Sequence, residues 1–370
     1  MNFELSEDQA LLAEQSRSLF AARSGSDRLR VLIDAGAEWD EPLWREISQL
    51  GFVGAGLGEQ YGGLGMSQLD LGVIGQEMGR ANVSLPFFSS MVLGAGAIEL
   101  AGTEAQKSRW LPLLARGEAI ATFAYAEGKR GWAGPLQTGY RNSAITGNKT
   151  PVADAGVATL AIVLVDHGER QALCIVELDQ PGVTRTRLDS FDQLRAHYSI
   201  AFENAQAELL DGPGASDACE RLFDRAAVQA AFEAVGGAEA CLTMARDYAL
   251  DRKIFARPLA SYQAIKHKLA DVLVRVELAR SSAYFAAWAA GHAPDQLPVA
   301  ASSARLSAIA AFELAARENI QVHGGIGYTY DAHCHFYYRR ERTLALSLGG
   351  REPWADRLIT QLRRTQQEMV

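Results

Sequence analysis

Apolar positions fall into three textures along the chain. Up to about Gly117 they recur at helical spacing. Leu11, Leu12 and Phe20 follow a Ser6–Gln9 capping box, and Leu43, Trp44, Ile47 and Leu50 make a second stripe. The glycines between 58 and 65 interrupt this pattern and read as a loop. A second capping box, Thr103 with Gln106, opens the segment carrying Trp110 and Leu111. From about Glu118 the apolar runs shorten to 120–125, 160–165, 172–178 and 198–202, separated by Gly, Pro, Asn and Asp, which is the pattern of strands and turns. Asp211-Gly212-Pro213-Gly214 reads as a linker. Beyond it, Asp217 with Glu220 can cap a helix, and long Ala- and Leu-rich helical stretches follow at 225–248, 262–290 and 298–320. The expected fold class is α+β multidomain. It comprises an N-terminal all-α domain over 1–117, a small middle β-barrel or sandwich over 118–212, and a C-terminal four-helix bundle over 216–370.

Composition narrows the class of function. With 370 residues, 48% of them hydrophobic and 22% charged, the chain is globular rather than disordered. A net charge of -8 argues against nucleic acid or an anionic membrane as the main partner, since both reward surplus Lys and Arg. Cys174, Cys219, Cys241 and Cys334 are scattered with no CxxC pair, so neither a zinc ribbon nor a disulfide framework is expected, and reduced thiols in a cytoplasm are the simplest reading. No signal peptide is visible, and no run is expected to reach bilayer-spanning length. His333-Cys334-His335 is expected to pack rather than bind metal, and Arg339, Arg340 and Arg342 are expected to form a solvated helix face.

Three motif groups, spread over most of the chain, resemble the acyl-CoA dehydrogenase family. The first is Gly62-Gly63-Leu64-Gly65, followed by Gln106-Lys107 and Trp110-Leu111-Pro112. The second is Arg252-Lys253-Ile254-Phe255-Ala256-Arg257-Pro258-Leu259 with Tyr262-Gln263, where the family usually reads Arg-x-x-Phe-Gly-x-Pro-Ile and Phe-Gln. The third is Gln321-Val322-His323-Gly324-Gly325-Ile326-Gly327-Tyr328-Thr329, followed by Arg339-Arg340. The resemblance implies FAD-dependent α,β-dehydrogenation of an acyl-CoA thioester, with FAD lying across a subunit interface. By the same resemblance Arg252, Phe255, Gln263, Gln321, Gly324 and Gly325 hold the pyrophosphate and adenosine end of a neighbour's FAD. Their chemistry suits that task. Arg252 offers a forked permanent cation, Gln321 an amide, and the glycines close backbone approach.

The departures from the family are as informative. A Thr-Glu-Pro…Gly-Ser-Asp loop of typical members corresponds here to residues 126–134, where Glu127 and some glycine survive; Trp132 in that stretch could cover a cleft. Where the family has Gly-x-Lys-x-Trp-Ile-Thr beside the flavin, this chain has Gly147-Asn148-Lys149-Thr150-Pro151-Val152-Ala153. The two places that carry the glutamate base fall near Leu348 and Ala226, neither acidic. Glu233, two helical turns past Ala226 and about 10 Å along the same face, is the candidate catalytic residue, with Glu352 behind it. What remains serves a neighbour's FAD and what is lost would serve this chain's own. The expectation is therefore a subunit of a heteromeric complex, a dimer or tetramer with a related chain, that completes a partner's FAD site. The resemblance also implies a bulky acyl-CoA, including steroid side chains, and an electron-transfer flavoprotein or similar acceptor. A homo-oligomer using Glu233, a non-catalytic structural subunit and a flavin oxidase on the same fold are the alternatives.

Overall fold

The protein was analysed as a computed structural model that describes residues 5–128, 135–168 and 170–368. In chain order, helices α1 (Glu7–Arg23), α2 (Ser26–Asp34), α3 (Glu41–Gln49), α4 (Gln68–Arg80), α5 (Gly96–Ala101) and α6 (Glu104–Ala115) come first. Strands β1 (Ala121–Ala124), β2 (Gly139–Arg141), β3 (Ala144–Ala153), β4 (Leu160–His167), β5 (Arg170–Glu177), β6 (Val183–Leu188), β7 (His197–Gln206) and β8 (Glu208–Leu209) follow. The last third holds α7 (Ala218–Asp251), a small hairpin of β9 (Lys253–Ile254) and β10 (Arg257–Pro258), then α8 (Gln263–His292), α9 (Leu297–His323), α10 (Cys334–Leu346) and α11 (Arg351–Glu368). The expected helical, β, helical order is thus observed. The middle region is one curled sheet.

These elements gather into two compact units. One holds the chain up to Arg30, Gln68–Val83 and everything from Ala227 onward; the other holds Val31–Ser67 and Ser84–Ala226. In the helical unit, α1 starts on the expected capping box: Ser6 Oγ accepts from Gln9 N–H at 3.2 Å and Gln9 Oε1 accepts from Ser6 N–H at 3.1 Å. Such a cap contributes about 1 kcal/mol by satisfying donors that the first turn leaves unpaired. Helices α4 and α7 touch backbone to backbone. A Cβ on Gly79 would lie 2.0 Å from the Glu233 carbonyl oxygen, and one on Gly236 would lie 1.8 Å from that of Gln76. No other residue fits there, and the close approach fixes the height of Glu233 relative to α4.

One expectation needs correcting here. The segment Pro294–Tyr328, which contains α9, is long and apolar enough to cross a membrane. Its burial explains that composition. Ala300, Ala301, Ala304, Ala308, Ala311 and Phe312 are all within 2% of full burial, packed inside the protein, so a core helix passes the same test.

In the other unit, the sheet runs β6-β7-β3-β2-β4-β5-β8, with β1 added parallel to β4. Strand β4 sits between β1 and β5, and residues 160–165 are fully buried, which is why that run reads as continuously apolar. Strand β3 pairs with β7 through two register shifts, between Ile145 and Gly147 and between Lys149 and Val152. The second shift coincides with Pro151, which has no N–H to give the ladder. Thr103 and Gln106 form the second expected capping box at the start of α6.

Candidate functional site

The end of α7, the start of α8 and the end of α9 are fastened together by a small core of Ala245, Ala249 and Val322, with Tyr248, Leu259, Ala260, Ile265 and Leu269 packed against it. Tyr248 also stacks on His323, with ring centroids 4.2 Å apart and planes 25° apart. The hairpin after α7 and the glycine turn after α9 therefore emerge at one end of the helical unit. The structure brings together there all six residues expected at the adenosine end: Arg252, Phe255, Gln263, Gln321, Gly324 and Gly325.

The hairpin presents its side chains outward. Phe255 and Ala256 both have left-handed backbone, with φ of 47° and 63°, and form the two-residue turn between β9 and β10. Such turns favour Asn-Gly, because a Cβ is strained at positive φ. Here they place a phenylalanine that is 92% exposed. Tyr262 pins the hairpin from behind. Its hydroxyl donates to the Ile254 carbonyl at 3.2 Å, and the Arg257 guanidinium lies 3.8 Å over its ring. The sequence reading used Tyr262 only as a motif match; an aromatic four residues past a Pro-containing turn was the available signal for a pin.

Arg252, Gln263 and Gln321 are exposed, and among the described residues none has a side-chain hydrogen bond or ion pair. The Arg252 backbone, by contrast, is held at both sides, its N–H donating to Tyr248 O and its carbonyl accepting from Leu259 N–H. Gly324, at φ 64°, caps α9. Gly325 is different. Its φ lies outside the left-handed region, and a Cβ there would meet nothing within 4 Å. Among the described residues nothing requires a glycine at 325, which is exposed. A forked cation, two free amides, an exposed ring and an open glycine suit the pyrophosphate and adenine of FAD. We find that the residues present fit that group.

Glu233 lies elsewhere, on α7 roughly 28 Å along the helix from Arg252. It is buried, and its Oε1 is 3.4 Å from Arg340 Nη1; Arg340 is 1% exposed and also donates to the Val83 carbonyl at 3.0 Å. Arg340 thus corrects the expected solvated arginine face: α10 turns it inward onto α7. Arg342 is half-buried and pairs with Glu313 at 3.1 Å. The two positions of the family's base are apolar and buried, Ala226 fully and Leu348 at 1% exposure, the latter with φ 59°. Glu352 is exposed in the first turn of α11. His333 and His335 pack as expected, His333 stacking on Phe336 and His335 on Tyr330.

In the sheet, the retained parts of the two altered loops hold each other. Lys149 Nζ donates to Glu127 Oε1 at 2.7 Å, with Lys149 fully buried, and Glu127 also accepts from the N–H groups of Gln137 and Thr138 at 2.6 and 3.0 Å. Burial alone raises the Glu127 carboxyl, but these hydrogen bonds, Lys149 first, bring it down to about 2. Burial works against the Lys149 charge. With three N–H donors converging on it, the carboxylate stays ionised. Pro151 is exposed and Ala153 half-buried at the places where the family has Trp and Thr. Trp132 and the rest of 129–134 lie outside the described residues.

Comparison with known proteins identifies the family. Residues 6–118 match the family described as "Acyl-CoA dehydrogenase, N-terminal domain" and residues 212–359 match "Acyl-CoA dehydrogenase, C-terminal domain". The acyl-CoA dehydrogenase IpdE2 of Mycobacterium tuberculosis is 31% identical over 335 residues, covering 90% of this chain and 91% of that protein. Among solved structures, the Tcur3481-Tcur3483 steroid ACAD, in a variant form, superposes with a TM-score of 0.90 at 27% identity, covering 97% of this chain and 99% of that one. The ChsE4-ChsE5 complex of Mycobacterium tuberculosis gives 0.87 at 25% identity over 100% and 99%.

Proposed function

Because the chain belongs to the acyl-CoA dehydrogenase family of oxidoreductases, we propose that it works as a subunit of a heteromeric flavoenzyme and completes the FAD site of a related, base-bearing subunit. One observation carries this reading. The side chains that would grip the adenosine half of FAD all face out of their own chain at one end of the helical unit, without a described partner there, while Gly325 is open on a side that only another molecule could use. A single chain gains nothing from a 92% exposed Phe255 on a strained turn. A neighbour's ligand repays it by covering the ring.

In such a site Arg252 would hold the pyrophosphate with its forked guanidinium. Gln263 and Gln321 would offer amide hydrogen bonds to the adenosine end, Gly324 and Gly325 would let backbone come close, and Phe255 would offer an apolar face that excludes water. When bound, FAD supplies the acceptor for the hydride that leaves the β-carbon of the acyl group. The α-proton then needs a base, and Ala226 and Leu348 offer none. Glu233 faces a buried guanidinium and would have to break that contact before taking a proton, so we assign it to holding Arg340 and place the base on the related subunit. The likeness to a steroid ACAD favours a bulky, steroid-type acyl-CoA, and the likeness to the ChsE4-ChsE5 complex favours a mixed assembly. An electron-transfer flavoprotein as acceptor and a cytoplasmic location are proposed from the family resemblance alone.

The test is the visible spectrum of the chain purified alone and of the chain co-expressed with a related subunit. Stoichiometric flavin in the mixed assembly, bleached by a steroid-side-chain acyl-CoA, and little in the chain alone is the expected pattern. A chain that alone holds stoichiometric flavin, bleached by acyl-CoA and silenced by Glu233→Gln, overturns the proposal in favour of a homo-oligomer with Glu233 as base.

A further inference from the structure

We propose that Arg30, on α2, is a positioning residue for the Gly324–Gly325 turn; the proposal rests on reading that turn as part of a shared FAD site. From one half-buried side chain, Nη1 donates to the carbonyl of Tyr330 and Nη2 to that of Asp331 at 2.8 Å. Nη2 also lies 3.3 Å from His333 Nδ1. The guanidinium carbon sits 4.9 Å from the centroid of the Tyr330 ring and 5.5 Å from that of Phe336. One residue near the start of the chain therefore touches three residues of the stretch joining the glycine turn to α10, and Phe336 in the first turn of α10 itself.

Apolar contacts share the work: Ala332 packs with Ile320 and Cys334 in a small core, and the Tyr330 ring stacks on His335. Between Gly324 and the start of α10 at Cys334 the chain folds on itself through the Thr329 N–H and hydroxyl, both donating to Ile326 O at 2.9 and 2.8 Å, and through Gly327, the buried point of the turn. Ile326, Tyr328 and Tyr330 are 48%, 77% and 44% exposed. Those apolar contacts hold side chains, whereas a backbone left untied samples more conformations, and ordering each residue costs roughly 1–2 kcal/mol of entropy. Arg30 ties down the far end. Its planar fork takes two successive carbonyls and slides between two rings, which a lysine's single ammonium cannot do. By holding the segment in place before the ligand arrives, Arg30 removes part of the ordering cost from FAD binding. The chemistry it serves is the adenosine diphosphate half of the dinucleotide, since that is what the turn's open glycines and Gln321 would meet.

The experiment compares wild type, Arg30→Met and Arg30→Lys in the native assembly stripped of flavin. Backbone hydrogen exchange is followed over 324–333, and affinity is measured by titration with FAD and, separately, with ADP. Met keeps the stem that packs on the rings, and circular dichroism of α-helical signal reports whether each variant folds. The expected result is faster exchange confined to 324–333, with FAD and ADP affinities about tenfold weaker in both variants. Unchanged exchange in the segment overturns the clamp. Faster exchange with unchanged FAD and ADP affinity overturns the positioning role. A global loss of exchange protection in both variants, with affinities falling only in step with the unfolded fraction, also overturns it. Wild-type assembly that binds neither FAD nor ADP defeats the shared-site reading itself, and the exchange result then still decides whether Arg30 holds the turn.

Discussion

Two regions of the helical unit spend their polar side chains differently. At the end where α7, α8 and α9 meet, Arg252, Gln263 and Gln321 face outward without described partners, beside an exposed Phe255. In the interior Arg340 and Arg80 face partners within the chain: Arg340 meets Glu233 and the Val83 carbonyl between α7 and α10, and Arg80 on α4 meets both Glu77 and Glu239. Stability explains the interior, because a buried charge without a partner costs several kcal/mol. Nothing in the chain's own stability explains the outer end. What a protein leaves unpaired on its surface, in a strained turn, is what it keeps for something else to use.

The strongest way to break that contrast is to exchange the two behaviours. Arg340→Ala leaves Glu233 as a buried carboxylate without its guanidinium and should lower unfolding free energy by about 3–5 kcal/mol, read from urea denaturation. Folded Arg340→Ala should still bind FAD as wild type does. Weakened FAD binding with intact stability would erase the distinction between the two regions. The converse change comes next. Arg252→Ala should weaken FAD binding by the worth of a charge-assisted contact, about 1.5–3 kcal/mol or tenfold to a hundredfold, in a flavin titration of the assembly. Its melting without flavin should move by no more than about 0.5 kcal/mol, as for a surface substitution.

A third change sharpens the account of the interior, where one carboxyl is poorly served. Glu341 is 1% exposed, and burial pushes it up to about 7, with Arg342 opposing and Glu313 adding to the rise. The unfolded chain has the ordinary value near 4.5. The folded state therefore holds this proton more tightly. The stabilisation is complete below about pH 4.5 and is lost as pH climbs through 7. Glu341→Gln mimics the protonated form. It should melt like wild type at pH 4.5 and be more stable by about 1–2 kcal/mol at pH 8, measured by calorimetry at both pH values. Equal melting at pH 8 would mean that the interior has found Glu341 a full partner.

How much of this was legible in the sequence follows from the range of the interactions. Capping boxes at Ser6 and Thr103 need residues three apart, and both are present. Strand β4 announced itself because burial on both faces makes a continuous apolar run. Strand β3 did not, since Gly147 and Pro151 interrupt it where its pairing shifts, and β6 did not, because Thr184 to Arg187 are all exposed at a sheet edge. The six outer residues could be nominated from sequence because each motif is local. Arg340 was misread because the burial of α10 depends on α7, more than a hundred residues earlier. Arg30 was invisible for the same reason: its partners are 300 residues away.

The smallest effect tests whether the strain at the outer end is useful or incidental. Ala256 sits at φ 63°, where the family usually has glycine. A Cβ in left-handed backbone costs roughly 1–2 kcal/mol, while glycine adds unfolded-state entropy worth about 0.4–1 kcal/mol. Ala256→Gly should therefore stabilise the chain by about 0.5–1 kcal/mol, seen as a small rise in melting temperature without flavin. The same change frees the backbone beside Phe255, whose ring is 92% exposed. If the alanine keeps the turn stiff so that Phe255 meets the adenine without further ordering, FAD affinity should drop by roughly twofold to threefold even as melting rises. Stability and affinity moving in opposite directions would show that the strained turn serves the ligand. Both rising together would make Ala256 a tolerated defect and leave the stiffness of the turn to Tyr262.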